Sequence, residues 1–254
     1  MELNSYEHGV PSWADLGTSD TAAAEQFYAE LLGWQIEQGP PEAGGYALAK
    51  LRGRNVAGLG PQQNPGPPMW SSYVNVDDVD DIAAKVTAAG GQIVLPPMDV
   101  LSEGRVTMFA DPQGAVSGAW QPRNHIGAEV VNEPGAFTWT ELATTDVERA
   151  KEFYAAIYGW EFQTSGEGAQ AYTEIKANGR SVAGMMAKPP SMPAEAPPMW
   201  SVYFGVADLD EAINHVAKLG GRVLMEPQTI EAGRFAYVAD PQGAPFGIFD
   251  MATS

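Results

Sequence analysis

The sequence has 254 residues, of which 44% are hydrophobic and 18% are charged, values typical of a folded chain with a sizeable core. Its 32 acidic and 14 basic residues give a formal net charge of −18, which argues against a nucleic-acid or anionic-membrane partner. The sequence contains no cysteine, so disulfides, thiolate metal sites and a cysteine nucleophile are excluded.

The start of the chain carries no targeting pattern. Residues 1–11 lack the basic segment followed by an apolar segment that a secretory signal has. Apolar runs in the sequence also fall short of the ~20 residues of a membrane span. We therefore expect a cytoplasmic protein.

The first predicted elements are a strand over 13–17 and a helix that begins after Asp20, a good N-cap residue. Apolar side chains then recur at helical spacing until Gly33 ends the helix. A strand over 71–76 and a helix capped by Asp78 follow. Each helix precedes several short β-type runs, so the pattern predicts two β-α-β-β-β modules in this half of the chain.

The same series of elements is then repeated. The segment that begins at Trp13 matches the segment that begins at Trp139, 126 residues later. The DPQGA motifs at Asp111 and Asp240 lie 129 residues apart. The repeat predicts an α+β fold of four β-α-β-β-β modules in two tandem domains. We place these domains at residues 1–124 and 134–254, with a linker at 125–133.

Three features in this order resemble the vicinal oxygen chelate superfamily, the glyoxalase and bleomycin-resistance family. Phe-Tyr stands seven residues after the helix-capping Asp20 and Asp146, Gly-Trp follows the helix, and Asp-Pro-x-Gly precedes the last strand. The chain looks like the two-domain members, in which one polypeptide forms a pseudo-dimer. The resemblance implies paired modules around a cleft. In most members the cleft holds a divalent metal on a His or Gln, a second His and a Glu.

The sequence departs from that ligand pattern at each position. The first-strand position is Trp13 or Trp139, the second-module position is Ser71 or Ser201, and the last-strand position is Gly118 or Gly247. None of these side chains is a usual ligand for a divalent metal. The three histidines, at positions 8, 125 and 215, lie elsewhere in the pattern. We therefore expect no metal and no other cofactor.

Carboxylates stand beside the first-strand positions. Because strand side chains alternate with a period of two, Asp15 shares a face with Trp13, and Glu141 shares a face with Trp139. A carboxyl beside an indole in an apolar cleft has a raised pKa, so Asp15 and Glu141 are candidate catalytic acids or bases. The structural alternative is that they pair with an arginine or a backbone donor.

Further repeated residues are candidate ligand contacts. The indoles form either a cleft wall or core, and the arginines either hold an anionic substituent or form structural ion pairs. The candidate ligand-binding residues are Trp13, Trp139, Tyr46, Tyr172, Ser71, Ser201, Arg105 and Arg234.

Two functions are compatible with these patterns. The first is metal-free binding of an apolar or aromatic small molecule in aromatic-lined clefts, as in sequestration or resistance. The alternative is a glyoxalase-like lyase or isomerase, or a metal-independent tailoring enzyme, that uses the cleft carboxylates as acid or base. The expected partner is a small molecule, and the internal pseudo-dimer predicts a monomer or weak homodimer.

Overall fold

The computed structural model describes residues 1–63, 65–190, 192 and 195–251. The elements of the first half are β1 Pro11–Thr18, α1 Thr21–Leu32, β2 Gln35–Gln38, β3 Ala47–Leu51, β4 Arg54–Pro61, β5 Met69–Asn75, α2 Val79–Ala88, β6 Gln92–Val100, β7 Gly104–Ala110 and β8 Val116–Pro122. Those of the second half are β9 Phe137–Thr144, α3 Val147–Tyr158, β10 Glu161–Ser165, β11 Tyr172–Ala177, β12 Arg180–Ala187, β13 Met199–Gly205, α4 Leu209–Lys218, β14 Arg222–Ile230, β15 Gly233–Ala239 and β16 Pro245–Met251.

The first helix begins and ends where its sequence predicts. The Asp20 side chain accepts a hydrogen bond from the backbone N–H of Ala23, which satisfies one of the free donors at the helix N-terminus. Gly33 ends the helix in the left-handed conformation, with φ of 75°. Phe27 and Tyr28 lie on the buried face. Asp78 caps α2 in the same way, by accepting from the backbone N–H groups of Asp80 and Asp81.

Each half forms one eight-stranded sheet. The strand order is β2-β3-β4-β1-β5-β8-β7-β6 in the first half and β10-β11-β12-β9-β13-β16-β15-β14 in the second. The two central strands β1 and β5 open the two modules and run antiparallel to each other, while β1 pairs in parallel with β4 and β5 pairs in parallel with β8. This topology confirms the predicted α+β fold of four β-α-β-β-β modules in two tandem domains.

The hydrophobic cores are shared between the halves. One core combines Phe27 and Trp34 of the first half with Phe204 and Phe246 of the second. The other is built in the reverse sense, from second-module residues of the first half and first-module residues of the second. Helices α1 and α3 thus each pack against the second module of the other half. The two sheets therefore share their hydrophobic cores.

Buried hydrogen bonds also join the halves. The Tyr28 hydroxyl donates to Asp240 at 3.1 Å and accepts from the Trp70 indole at 3.0 Å. The second half repeats this arrangement with Tyr154, which donates to Asp111 at 3.2 Å and accepts from the indole of Trp200. The two Asp-Pro-x-Gly turns therefore contribute to the contact between halves as well as to the backbone turn.

None of the helices in the described part of the chain is long and apolar enough to span a bilayer.

Candidate ligand-binding clefts

The face of each sheet opposite the helices carries a polar group between aromatic rings. In the first half, Asp15 on β1 is the register partner of Ser71 on β5, and Trp13 is the partner of Tyr73. The Tyr46 hydroxyl donates to one Asp15 oxygen at 3.2 Å, and the Tyr73 hydroxyl donates to the other at 3.1 Å. The Trp13 indole donates to the Tyr46 hydroxyl at 3.0 Å. We call this group, Trp13, Asp15, Tyr46, Ser71 and Tyr73, the first cleft, after the cleft that the family resemblance implies at these positions. The Trp13 ring is 5% exposed and belongs to the hydrophobic core, which is the alternative raised for the indoles.

The carboxyl of the first cleft titrates near neutral pH. Burial raises the pKa of Asp15 from 3.8 to about 7, although the hydrogen bonds from Tyr73 and Tyr46 oppose this shift because they favour the ionised form. Burial also raises the pKa values of Tyr46 and Tyr73 well above 10, so both hydroxyls stay protonated and remain donors. Asp15 therefore has a pKa suited to proton transfer.

The second half repeats this group as a second cleft: Trp139, Glu141, Tyr172, Ser201 and Tyr203. The Trp139 indole donates to the Tyr172 hydroxyl at 3.0 Å, and the Tyr203 hydroxyl donates to Glu141 at 3.3 Å. Burial raises the pKa of Glu141, with opposing interactions from the hydroxyls of Tyr172 and Tyr203. The sequence-predicted indoles, carboxyls, tyrosines and serines are thus brought together in both halves.

Glycines provide the space that the cleft tyrosines occupy. Tyr73 lies beside Gly118 in the register, and a Cβ at Gly118 would lie 2.1 Å from the Tyr73 ring. Tyr203 and Gly247 repeat this contact at 1.9 Å. The packing therefore requires glycine at each last-strand position, because any side chain there would displace the tyrosine ring.

Gly118→Ala is expected to destabilise the protein by about 1–3 kcal/mol, the usual cost of overpacking a filled site. Gly17→Ala is the matched control, because its Cβ would meet its nearest atoms at ordinary contact distances, 3.7 Å and beyond. Urea unfolding of the two variants beside the wild type measures the difference. Equal free energies of unfolding for the two variants would show that Tyr73 moves aside freely.

Arg105 and Arg234 lie outside the clefts, which corrects their place among the candidate ligand contacts. Arg105 pairs with Asp80 at 2.7 Å and with Asp99 at 3.3 Å, while Arg234 pairs with Asp210 at 2.9 Å. Strand alternation explains this placement. On β7 the cleft-side residue is Met108, which approaches the Tyr73 hydroxyl, and Arg105 is an odd number of residues away. For both arginines the structure shows the second predicted role, a structural ion pair, and not a ligand contact.

The sequence reasoning missed two pairs of cleft residues. Tyr73 and Tyr203 stand two residues after Ser71 and Ser201, so strand alternation and the repeat together could have identified them. The second pair differs between halves. Met108 lies against Tyr73 in the first cleft, whereas the equivalent Tyr237 makes a 2.9 Å hydrogen bond with Ser201 in the second.

His125 contacts the Trp13 indole of the first cleft, although the sequence pattern placed no histidine at a site position. Its ring lies edge-on to the Trp13 indole, with 4.4 Å between ring centroids. Burial lowers its pKa, so the ring is neutral at physiological pH. The linker therefore supports the indole of the first cleft.

Comparison with known proteins identifies the family. The sequence profile of the Glyoxalase/Bleomycin resistance protein/Dioxygenase superfamily matches residues 11–116 and 136–248. The chain belongs to this superfamily. Among superfamily relatives, a putative glyoxylase CFP32 of Mycobacterium bovis is 41% identical over 98% of this chain and 97% of its own length. The anthracycline biosynthesis protein DnrV of Streptomyces peucetius is 34% identical over 98% of this chain and 96% of its own length.

Solved structures with the same fold include a Mn(II)-bound glyoxalase and a dioxygenase. A Mn(II)-bound glyoxalase from Novosphingobium aromaticivorans matches with a TM-score of 0.68 and 18% identity, over 96% of this chain and 83% of that one. A 2,2',3-trihydroxybiphenyl 1,2-dioxygenase from Sphingomonas wittichii strain RW1 matches with a TM-score of 0.67 and 17% identity, over 96% and 91%. At these identities the likeness establishes the fold.

The cleft residues of this superfamily member do not fit a divalent metal. An indole nitrogen carries only a donor, and that of Trp13 already donates to Tyr46. At the last-strand position the Tyr73 ring covers Gly118. Within the described residues, no three His, Asp or Glu side chains are grouped so that they could hold a metal ion.

Proposed function

We propose that the chain binds a flat, largely apolar organic molecule in its aromatic clefts without the help of a metal. The observation that carries this proposal is the indole of Trp13 at one position of the family's metal ligands and the Tyr73 ring packed over Gly118 at another. Aromatic rings offer large apolar faces for stacking, and the tyrosine hydroxyls and cleft carboxyl orient a ligand through hydrogen bonds. Sequestration of the ligand is the simplest function of such a site.

The two clefts differ in the polarity of their walls. Leu48 lies in the same register row as Asp15, and Glu174 occupies the matching place beside Glu141. The second cleft also has Tyr237 where the first cleft has Met108, so the wall of the second cleft is more polar at this position too. The first cleft suits an apolar ring system, while the second suits a ligand part that carries a polar or cationic substituent.

A titration with an anthracycline, doxorubicin, tests this proposal. The relative named for anthracycline biosynthesis motivates this probe. Quenching of tryptophan fluorescence is expected to saturate and to be unchanged in excess EDTA. Tyr46→Leu and Tyr172→Leu form a matched pair, one in each cleft, and loss of an aromatic contact worth ~1 kcal/mol weakens binding about 5-fold at the cleft that is used. Binding that is abolished by EDTA, or that neither variant changes, would contradict the proposal.

A second candidate function, acid–base catalysis on the bound molecule, is favoured by the raised pKa of Asp15. With Asp15 as general base, turnover is expected to increase as the pH rises through about 7, because only the ionised carboxyl accepts a proton. Asp15→Asn is expected to abolish turnover while binding persists, and Glu141→Gln tests the second cleft in the same way. Turnover that survives both changes would exclude the carboxyls as the base.

A further inference from the structure

One place in the fold differs between the two halves, although the sheets are equivalent. In the first half, a short linker segment, residues 127–130, lies between the ends of β1 and β4. The backbone N–H of Ala128 donates to the carbonyl oxygen of Ser12 at 2.7 Å, and that of Glu129 donates to the carbonyl oxygen of Asn55 at 2.7 Å. The Glu129 carboxylate accepts from the backbone N–H of Asn55 at 2.7 Å. The backbone N–H groups of two consecutive residues thus donate to the two different strands, which holds this bent segment between the strand ends.

The side chains of the linker segment fit this position closely. Ala128 and Val130 are completely buried. Gly127 has a φ of 107°, and a Cβ at Gly127 would lie 2.4 Å from the carbonyl oxygen of Ser12. The position beside β1 accepts only a small residue, here Ala128. Two residues later, the aliphatic side chain of Val130 is buried. The first half thus shows which peptide pattern such a slot accepts: Gly, a small residue, an acid and an aliphatic residue.

The equivalent slot of the second half is a cavity of about 430 Å³. Its lining includes Thr138, Trp139, Ser181 and Val182, the counterparts of residues 12, 13, 55 and 56. The N-terminal segment forms another part of the lining, through residues that include Met1, Leu3 and Tyr6. The exposure of these residues changes accordingly. Ser12 and Val56 are fully buried and Trp13 is 5% exposed, whereas Thr138, Trp139 and Val182 are partly exposed and Ser181 is exposed.

A local pairing places the start of the chain at the wall of this cavity and not within it. By the 126-residue offset, residues 1–4 are the counterparts of residues 127–130. They run along the linker instead, where the backbone N–H of Leu3 donates to the carbonyl oxygen of Glu129 at 2.9 Å and that of Val131 donates to the carbonyl oxygen of Met1 at 3.0 Å.

We propose that the cavity between β9 and β12 is a docking site for an extended peptide segment of a partner protein, with the Gly–small–acid–aliphatic pattern of the linker segment. The peptide donates its backbone N–H groups to the ends of the two strands, as the linker segment does in the first half, so its backbone provides affinity and its side-chain sizes provide selectivity. The Trp139 indole lines the cavity and also donates to Tyr172 in the second cleft, so an occupied slot contacts the wall of that cleft.

Fluorescence anisotropy of a labelled synthetic peptide tests this site on the full chain. The peptide has the sequence of residues 125–131, HIGAEVV, with both termini capped. We expect saturable binding of one peptide per chain, because the slot of the first half is already filled. The same peptide with Gly127→Val is expected to bind at least about 10-fold more weakly, since its added side chain meets the backbone of β9.

A variant of the protein provides the matched test. Ser181→Phe places a ring in the mouth of the cavity from an exposed position, and is expected to abolish peptide binding. Ser102→Phe, at an exposed turn far from the slot in the sequence, is the control and is expected to bind as the wild type does. Thermal unfolding of both variants confirms that they are folded. Absence of saturable binding, or binding that Ser181→Phe leaves intact, would overturn the proposal. Doxorubicin uptake that Ser181→Phe blocks, with no uptake of peptide, would assign the cavity to a small molecule and also overturn it.

Discussion

Asp15→Asn is expected to stabilise the folded protein at about pH 8 and to have little effect at about pH 4. The folded-state pKa of Asp15 is about 7 and its ordinary value is 3.8, so the unfolded chain loses this proton first as the pH rises. Between about pH 4 and pH 7 the folded state binds more protons than the unfolded state, and the stability of the wild type therefore falls with pH in this window. The substitution removes the ionisable group and with it this loss.

The expected gain at high pH is about 2–4 kcal/mol, because each pKa unit corresponds to about 1.4 kcal/mol and Asp15 retains some contact with solvent. Urea unfolding of wild type and variant at both pH values measures it. Glu141→Gln is the comparison in the second half, where burial also raises the pKa and the same sign is expected. A stability difference that is equal at the two pH values would mean that the Asp15 carboxyl titrates normally. A stabilising change at this position would also fit a carboxyl kept for function at the expense of stability.

The isolated first half, residues 1–124, is expected not to fold as a stable monomer. Without the second half, Phe27 and Trp34 lose their packing partners Phe204 and Phe246, and Tyr28 loses its hydrogen bond to Asp240. Exposure of each large buried apolar side chain costs about 1.5–3 kcal/mol, and a domain has only about 5–15 kcal/mol of net stability.

Circular dichroism and analytical ultracentrifugation of the fragment measure this effect. Addition of the complementary fragment, residues 125–254, is the matched control and is expected to restore the folded signal. A homodimer of residues 1–124 agrees with the shared cores, since a second copy supplies an equivalent surface. A folded, cooperatively unfolding monomer would contradict the crossed arrangement of the cores.

Strand alternation and the internal repeat were sufficient to predict which side chains lie together on this face of the sheet. They placed Asp15 beside Trp13 on one face, and the repeat drew attention to Tyr46. Tyr73 was missed because the family pattern directed attention to Ser71, although both share a face. Arg105 was misplaced because its charge suggested a ligand contact, whereas its distance of three residues from Met108 puts it on the other face.

The contact between the halves could not be predicted in this way. Helical periodicity identified Phe27 and Tyr28 as a buried face, but periodicity carries no information on which element covers that face. The partner, Phe246 on the other half, is more than 200 residues away along the chain. Likewise, the position of His125 behind Trp13 depends on the path of the linker, which has no periodic pattern to read.

The crossed cores have a consequence for how this chain can change. Thermodynamic stability is a property of the whole molecule, because each core contains residues from both halves. The hydrogen bonds of the cleft carboxyls are local, because those around Asp15 come from the first half alone and those around Glu141 from the second. Substitutions around one carboxyl therefore leave the hydrogen bonds around the other intact, and the two halves can diverge at these groups within a single folded molecule.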